Sequence, residues 1–190
     1  MKTFKKTLVA FAVALMLIAP ASNLANGLAR TEDQASYSGP QLAKRIRREL
    51  VKLPYYGVFD NLAYRINGGT VELYGQVVRP STRSGAERVV KRIPGVTNVV
   101  NNIKVLPLSS FDDQLRVATY RSIANMGGLH RYLRGANPSL HIVVDRGHVT
   151  LEGVVSGKGD RDLAYMAARR VSGAFSVTNN LRIEGEGDLP

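Results

Sequence analysis

The chain has 190 residues, contains no cysteine and carries a formal net charge of +11 at pH 7. The absence of cysteine excludes disulfides, thiol catalysis, thiolate metal sites and the lipid-bearing cysteine of a bacterial lipoprotein. A chain of this length can form one medium-sized domain or two small ones.

The N-terminal residues have the pattern of a secretory signal peptide. Three lysines within the first six residues precede an uncharged apolar stretch from Leu8 to Ala19. That stretch is shorter than the roughly 20 residues that a membrane-spanning helix needs. Ala19 and Ala21 have the A-x-A spacing of a cleavage site, which predicts a signal peptide over residues 1–21, with cleavage after Ala25 as an alternative. We therefore expect export to the periplasm or another extracytoplasmic part of the envelope; an uncleaved signal anchor is the other interpretation.

Export changes what the positive charge indicates. The signal lysines account for three of the eleven charges, so about +8 remains after cleavage. In a cytoplasmic protein such a charge favours nucleic acid as the partner. Outside the cytoplasm, the abundant polyanions are phospholipid head groups, surface glycans and acidic proteins. We therefore expect an envelope partner and no nucleic acid.

A predicted disordered leader, residues 22–40, precedes the first helix. Ser38 and Gln41 have capping-box spacing. The apolar residues on one face of this helix are Leu42, Ile46, Leu50 and Leu53. Tyr55 and Tyr56 follow, and they either lie at a lipid interface or pack in the core with one hydroxyl in water.

A hairpin comes next. Asn67-Gly68-Gly69 supplies residues that tolerate the positive φ of a tight turn. The apolar residues that alternate with polar ones on either side of it are Leu62, Tyr64 and Ile66, then Val71, Leu73 and Val77.

A second helix and a closing strand complete this half. Ser84 and Glu87 predict the start of the helix by their capping-box spacing, and Pro94-Gly95 predicts its end. The apolar face of the helix is Ala86, Val89, Val90 and Ile93, and the strand carries Val96, Val99, Ile103 and Val105.

The second half of the chain repeats the first at an offset of 78 residues. GGTVELYGQV at 68–77 matches RGHVTLEGVV at 146–155, and the pair Asn101–Asn102 matches Asn179–Asn180. Because the offset holds without a gap through hairpin, helix and closing strand, the chain contains a duplicated domain.

The elements of the second copy follow the same order. Its first helix is predicted within Asp112–Leu133, starting from a box of Ser110 and Asp113 and interrupted at Met126-Gly127-Gly128. Asp160 is the predicted cap of its second helix. The apolar positions are Leu140, Ile142 and Val144 in the hairpin, Leu163, Ala164, Ala167, Ala168 and Val171 in the helix, and Phe175, Val177, Leu181 and Ile183 in the last strand.

These patterns predict an α+β protein with two tandem α-β-β-α-β modules, each a three-stranded sheet with two helices on one face. The predicted limits are 41–107 for the first module, 108–112 for the linker, 113–185 for the second module and 186–190 for a tail. Because the linker is short, we expect the modules to touch.

The repeated unit resembles the BON domain family, named for bacterial osmotically inducible and nodulation proteins. The resemblance is carried by G-x-V-x-L-x-G, at 69–75 and again at 147–153, and by I-P-G-V-x-x-V-x-N-x-I-x-V from Ile93 to Val105, which is echoed from Val171 to Ile183. It covers residues 41–107 and 113–185, nearly all of the exported chain.

The resemblance implies a non-enzymatic module of the periplasm or envelope, often in tandem. It implies an association with phospholipid interfaces, or with the shielding and delivery of other envelope proteins. Since the chain has no lipid-bearing cysteine, any membrane contact should be peripheral. In tandem relatives the first helix of the second copy can carry the lipid contact; here Gly127 and Gly128 break its apolar pattern.

The glycines that occur in both copies of the repeat are interpreted as structural, not as parts of binding loops. A glycine within a strand marks a bulge or a close backbone approach, and the Asn pairs are expected to bond the local backbone. The predicted structural glycines are Gly69, Gly75, Gly95, Gly147, Gly153 and Gly173.

Basic residues on the polar sides of the helices are the candidate binding surface. If both helices of a module pack on one sheet face, their outward sides form one basic surface; the alternative is a solvated helix face that only maintains solubility. The candidate lipid- or partner-binding residues are Arg45, Arg48, Lys52, Tyr55, Tyr56, Arg88, Lys91, Arg92, Arg169 and Arg170. A second candidate surface, either an exposed apolar patch or a packing surface against the first copy, comprises Phe111, Met126, Leu129, Tyr132 and Leu133.

No residue pattern indicates catalysis. His130, His141 and His148 lack metal-ligand spacing, and His141 and His148 are expected to face solvent. No nucleophile elbow, phosphate loop or paired carboxylates occur. We therefore expect no cofactor and no metal, and the oligomeric state stays open.

The leading hypothesis is a peripheral envelope protein whose basic helical surfaces bind anionic phospholipid and support envelope integrity or stress tolerance. The second is a periplasmic chaperone or adaptor that binds client proteins through an apolar surface or a sheet edge. An enzyme is a distant third.

Overall fold

The computed structural model describes residues 39–135 and 137–186. The predicted signal peptide, all but the end of the predicted leader, and residues 187–190 of the predicted tail lie outside these ranges. None of the helices in the described ranges has the length and apolar composition needed to cross a bilayer.

The first module is built around its second strand, β2. This strand pairs antiparallel with β1 and in parallel with β3 and β4, and both helices pack on one face of the sheet. The elements are α1 (Gly39–Val51), β1 (Asn61–Asn67), β2 (Thr70–Val77), α2 (Pro80–Lys91), β3 (Asn98–Asn101) and β4 (Lys104–Val105).

The second module repeats this architecture with a short additional helix, α4. Its central strand β6 pairs antiparallel with β5 and in parallel with β7. The elements are α3 (Ser110–Ala124), α4 (His130–Leu133), β5 (Leu140–Asp145), β6 (His148–Val155), α5 (Lys158–Arg169) and β7 (Ser176–Ile183). The predicted α+β architecture of two tandem modules is confirmed, and α3 ends just before Met126-Gly127-Gly128.

The predicted apolar faces form one core in each module. In the first, Ile46 of α1, Val90 of α2 and Leu73 of β2 are fully buried. In the second, Leu151 and the small Ala168 of α5 take the positions of Leu73 and Val90, and Ile142 and Ala164 are also fully buried. Burying one such aliphatic side chain contributes about 1.5–3 kcal/mol, so each core is the main stabilising contribution to its module.

Two helix starts of the first module differ from the predictions. Helix α2 begins at Pro80, ahead of the predicted Ser84–Glu87 box, because proline is favoured in the first turn, where its missing N–H costs nothing. The Ser84 hydroxyl instead donates to the carbonyl of Ser81 within the helix. Helix α1 begins at Gly39, inside the segment predicted as leader.

The second module shows the same kind of difference. Helix α3 is capped by Ser109, whose hydroxyl accepts from the amide of Asp112 at 3.1 Å, one residue before the predicted Ser110–Asp113 box and inside the predicted linker. Helix α5 begins at Lys158 after Gly157, and Asp160 is not its cap. Asp160 lies in the first turn and accepts from Tyr132 and Arg131 at 2.6 and 2.7 Å.

One asparagine of each pair holds the closing strand to the second helix. Asn101 donates to the carbonyl of Arg83 at 3.1 Å, and the matching Asn179 donates to that of Arg161 at 3.2 Å. Each side-chain oxygen also accepts from the amide two residues on, Ile103 or Leu181. In the first module the strand is interrupted after Asn101, whereas β7 is continuous.

The two modules contact each other through strand β5. Leu140, Ile142 and Val144 face the core of their own module, and His141 and Val143 on the opposite face are also buried. The amide of Ile142 donates to the carbonyl of Val58 in the first module at 2.7 Å. At the end of β5, Asp145 accepts from Lys104 of β4 at 2.5 Å.

His141 therefore does not face solvent as expected. Its Nδ1 lies 3.3 Å from the carbonyl oxygen of Gly57 and its Nε2 lies 3.5 Å from the hydroxyl of Tyr56. Because a carbonyl oxygen can only accept, Nδ1 carries the proton, and Nε2 accepts from Tyr56. Burial lowers the pKa of His141, against the opposing effect of its backbone hydrogen bonds, so the ring is neutral at pH 7.

We predict that the strand glycine Gly153 cannot be replaced. Its φ is +116°, and a Cβ would lie 2.0 Å from the carbonyl oxygen of Ser139. Gly153→Ala should lower the free energy of unfolding by about 2 kcal/mol or more, since both strain and a backbone clash are introduced. Urea unfolding measures this. The control is Gly159→Ala in the first turn of α5, where an added Cβ would meet no neighbouring side chain within 4 Å. This variant should leave the free energy of unfolding unchanged or slightly raised.

We also predict that His141 lowers the free energy of unfolding in acid. Its folded pKa lies below the ordinary 6.5, so the unfolded chain binds the proton more tightly. Stability should be unaffected by this group above pH 6.5 and should fall as the pH drops from 6.5 towards the lowered folded pKa.

Thermal unfolding at pH 7.5 and pH 5 tests the His141 prediction. The melting temperature should drop less in His141→Gln than in the wild type, and the exposed His148→Gln should behave as the wild type. An equal drop in all three proteins would contradict it.

Candidate functional site

The positive charge is concentrated in the first module. Residues 39–107 contain twelve Lys and Arg against four Asp and Glu, a net charge of +8. Residues 108–186 contain ten against eight, a net charge of +2. A polyanion would therefore be attracted mainly to the first module.

Three of the predicted basic residues are engaged in ion pairs along their own helices. Glu49 pairs with Arg45 at 3.2 Å and with Lys52 at 3.7 Å, and Glu87 pairs with Lys91 at 2.5 Å. All three cations remain more than 40% exposed. Such exposed pairs contribute little to stability, about 0.3–0.5 kcal/mol, and are easily exchanged for another anion.

The remaining predicted residues of this surface have no such partner. Arg48 on α1, Arg88 on α2 and Arg92 at its end are exposed, and no described carboxylate lies within ion-pair distance of them. Lys44, Arg47 and Arg83 share this property among the described residues. Helices α1 and α2 pack side by side on one face of the sheet, so the basic residues on their outward sides lie on one surface. We call these six residues the basic helical face.

Arg169 and Arg170 lie apart from that face, at the end of α5 in the nearly neutral second module. Both are exposed, and the guanidinium of Arg169 lies 5.7 Å from the ring centre of Tyr165. Of the two arginines of α3, Arg121 is exposed, whereas Arg116 is buried and donates to Asp113 and to the carbonyl of Val144.

The two predicted tyrosines have different environments. Tyr55 is 68% exposed with a φ of +67°, and the guanidinium of Arg79 lies 4.6 Å from its ring centre. Tyr56 is half-buried at the contact with His141, and burial raises its pKa to about 12. The structure therefore leaves only Tyr55 on the surface.

The predicted apolar patch of the second module is mostly core. Leu129, Tyr132 and Leu133 are buried and Met126 packs beside them, in the core of their own module, which Val58 and Phe59 of the first module also contact. Phe111 alone is exposed, at 45%.

Phe111 instead belongs to an exposed aromatic pair that the sequence analysis missed. Its ring stacks on Phe175, which is 73% exposed, with ring centres 6.0 Å apart. Three segments meet here: the start of α3, the β5–β6 turn and the residue before β7. The buried carboxylate of Asp112 accepts from the turn amides of Arg146 and Gly147 at 2.9 and 2.8 Å. We call Phe111 and Phe175 the aromatic ridge.

The framework glycines lie in turns or strands. Gly69, Gly95, Gly147 and Gly173 are turn residues, and Gly75 repeats the geometry of Gly153, with its Cβ position 2.0 Å from the carbonyl oxygen of Asn61. No group of three or more potential ligands within residues 39–135 and 137–186 is arranged to hold a metal ion.

The comparison with known proteins gives a family match in both modules. The sequence profile of the BON domain matches residues 38–107 and 112–185. No curated protein sequence matches the chain. Among solved structures, the C-terminal domain of CdsD, a structural protein of the type III secretion system of Chlamydia trachomatis, is similar at 14% identity. It covers 81% of this chain and 100% of the other, with a TM-score of 0.28. A second CdsD structure is similar at 14% identity over 77% of this chain and 94% of the other, with a TM-score of 0.27.

The family match covers well over half of the chain, and its two segments coincide with the two modules of the fold. BON domains are generally non-catalytic binding domains and occur in periplasmic or envelope proteins. The chain belongs to the BON domain family and contains two copies of the domain.

Proposed function

We propose that the protein is exported by its N-terminal signal peptide and binds anionic phospholipid surfaces peripherally through the basic helical face of its first module. Family membership supports the coarser part of this proposal, a non-enzymatic role in the envelope. The observation that carries the finer part is the unpaired positive charge of α1 and α2.

The energetics favour an extended anionic surface as the partner. Each Lys or Arg near an anionic membrane contributes about 1 kcal/mol, and the contribution falls off within a Debye length of about 8–10 Å. None of the six residues of the basic helical face is in an ion pair with a described carboxylate, so no such pair has to be broken before they bind a membrane. Four or five of them acting together would give a binding free energy of about 4–5 kcal/mol, which is weak, reversible and sensitive to salt.

The test is co-sedimentation of the purified protein with vesicles of anionic or zwitterionic lipid at low and high salt. We expect binding to anionic vesicles at low salt only. Arg88→Glu with Arg92→Glu should weaken it by roughly 30-fold or more, because two favourable charges are lost and two repulsive ones are added.

A charge-matched variant separates this surface from net charge. Arg121→Glu with Arg134→Glu changes the total charge equally, but both residues lie in the second module. This control should bind almost as the wild type does. Equal weakening by both double variants would mean that binding depends on net charge and not on the basic helical face. No binding to any vesicle would overturn the proposal.

The aromatic ridge favours a second candidate function, a chaperone or adaptor that binds apolar segments of client envelope proteins. Two exposed phenylalanines in contact are unusual at a surface without a partner. Binding through them should persist at high salt, unlike binding through the basic helical face. Phe175→Ser should then abolish the capture of an unfolded envelope protein while leaving binding to anionic vesicles unchanged. If the variant still captures the client, the ridge is not the client-binding surface.

A further inference from the structure

A cleft of about 400 Å³ lies between the two modules. From the first module it is lined by α1 and β1, and from the second by residues 137–141 and parts of β6 and β7. Because residues of both modules line it, the cleft depends on the way the modules are joined. Its volume is within the range of sites for small ligands.

The charges that line the cleft are positive. Arg47 of α1 and Arg182 of β7 reach it from opposite modules, and its described lining includes no carboxylate. Neither guanidinium has a described ion-pair partner. The acidic side chains on the flanking segments are engaged elsewhere: Asp60 accepts from the amides of Val78 and Gly57, and Glu152 accepts from Asn180.

The alternation of the second sheet places Arg182 there. Leu181 is buried in the core under the helices, so Arg182 lies on the opposite face of β7. On the neighbouring strand Val154 lies on that same face, next to Arg182 in the register, and both line the cleft. The open face of the second sheet therefore presents a cation to the first module.

The cleft also has aromatic and apolar lining residues. Leu62 and the rings of Tyr56 and Tyr64 line it, and the Tyr64 hydroxyl is engaged with the carbonyl of Ala43 at 2.7 Å. Burial raises the pKa of Tyr56, while the nearby charge of Arg47 opposes this effect. Arg47 thus lies near Tyr56 and also lines the cleft.

We propose that this cleft binds a phosphate ester with a short apolar group, the phosphate held by Arg47 and Arg182 and the apolar group against Tyr56, Tyr64 and Leu62. A guanidinium binds phosphate through two parallel hydrogen bonds. Two guanidinium groups from different modules can bind one phosphate from two sides, which two arginines of a single helix cannot do. The amides of Asn61 and Asn137, which also line the cleft, supply further donors. Both a soluble phosphate ester and the head group of a single lipid have this chemistry.

The site does not depend on the basic helical face acting as a membrane surface. Of that face only Arg47 lines the cleft, and the ligand is a single molecule and not a surface. Binding of a soluble ligand can therefore succeed where vesicle binding fails, and the reverse.

Isothermal titration calorimetry with the purified protein tests the proposal. The probes are glycerol 3-phosphate, dihexanoyl phosphatidic acid below its micelle concentration, and dihexanoyl phosphatidylcholine as a zwitterionic comparison. Arg47→Gln and Arg182→Gln should each weaken binding of the phosphatidic acid by about tenfold, because each removes a charge-assisted contact to the phosphate. The matched controls are Arg65→Gln, an exposed residue of β1 outside both the cleft and the basic helical face, and Arg169→Gln in the second module. Neither control should change the affinity, and thermal unfolding should show that all four variants are folded.

The probes distinguish the two sources of the phosphate. Tighter binding of dihexanoyl phosphatidic acid than of glycerol 3-phosphate supports a lipid head group, and equal binding supports a soluble phosphate ester. Both outcomes support the site if Arg47→Gln and Arg182→Gln weaken binding. No binding of either phosphate probe, or equal weakening by the cleft variants and the controls, overturns it.

Discussion

The arrangement of the two modules depends on one hydrogen-bonded turn, residues 57–60. The carboxylate of Asp60 accepts from the amides of Gly57 at 3.1 Å and Val78 at 2.7 Å, although its burial raises its pKa. A buried carboxylate satisfied by two backbone donors is strongly held in place. The turn leaves the carbonyls of Gly57 and Val58 pointing at β5, where His141 and Ile142 donate to them. The cleft, and the burial of both faces of β5, follow from this contact.

The duplication explains the modules but not the way they are joined. Asn101 and Asn179 make the same backbone contacts in both copies, as do Gly75 and Gly153, because these residues hold the strands and the second helix of each module together. The turn has no such counterpart, since the position that matches Asp60 is Pro138. One copy therefore provides the turn and the other the receiving strand, and a duplicated sequence gives an asymmetric pair.

The sequence predicts those features of the fold that depend on the periodicity of apolar residues. Alternation and helical spacing identify residues such as Ile46 and Leu151 because one-sided burial leaves a repeating pattern. The starts of α2 and α5 could not be read in this way, since capping boxes also occur inside helices and proline at a first turn needs no side-chain cap. The clearest missed signal was LHIVVD, an almost unbroken apolar run typical of a strand buried on both faces. It predicts a covering partner for His141, but not which segment covers it.

The candidate surfaces were predictable to the extent that they lie on regular helices. Arg48 and Arg88 lie on polar helix faces that the spacing of apolar residues defines. Whether a carboxylate lies close enough to pair with such a charge depends on the tertiary structure. Arg182 and Phe175 come from a strand and a loop whose neighbours are distant in sequence, so no local pattern marks them. The excess charge of the first module is visible in the sequence once the repeat divides it. Since both copies keep the same fold with net charges of +8 and +2, folding does not require the excess positive charge of the first module, and this is the charge that the proposed binding to anionic phospholipid uses.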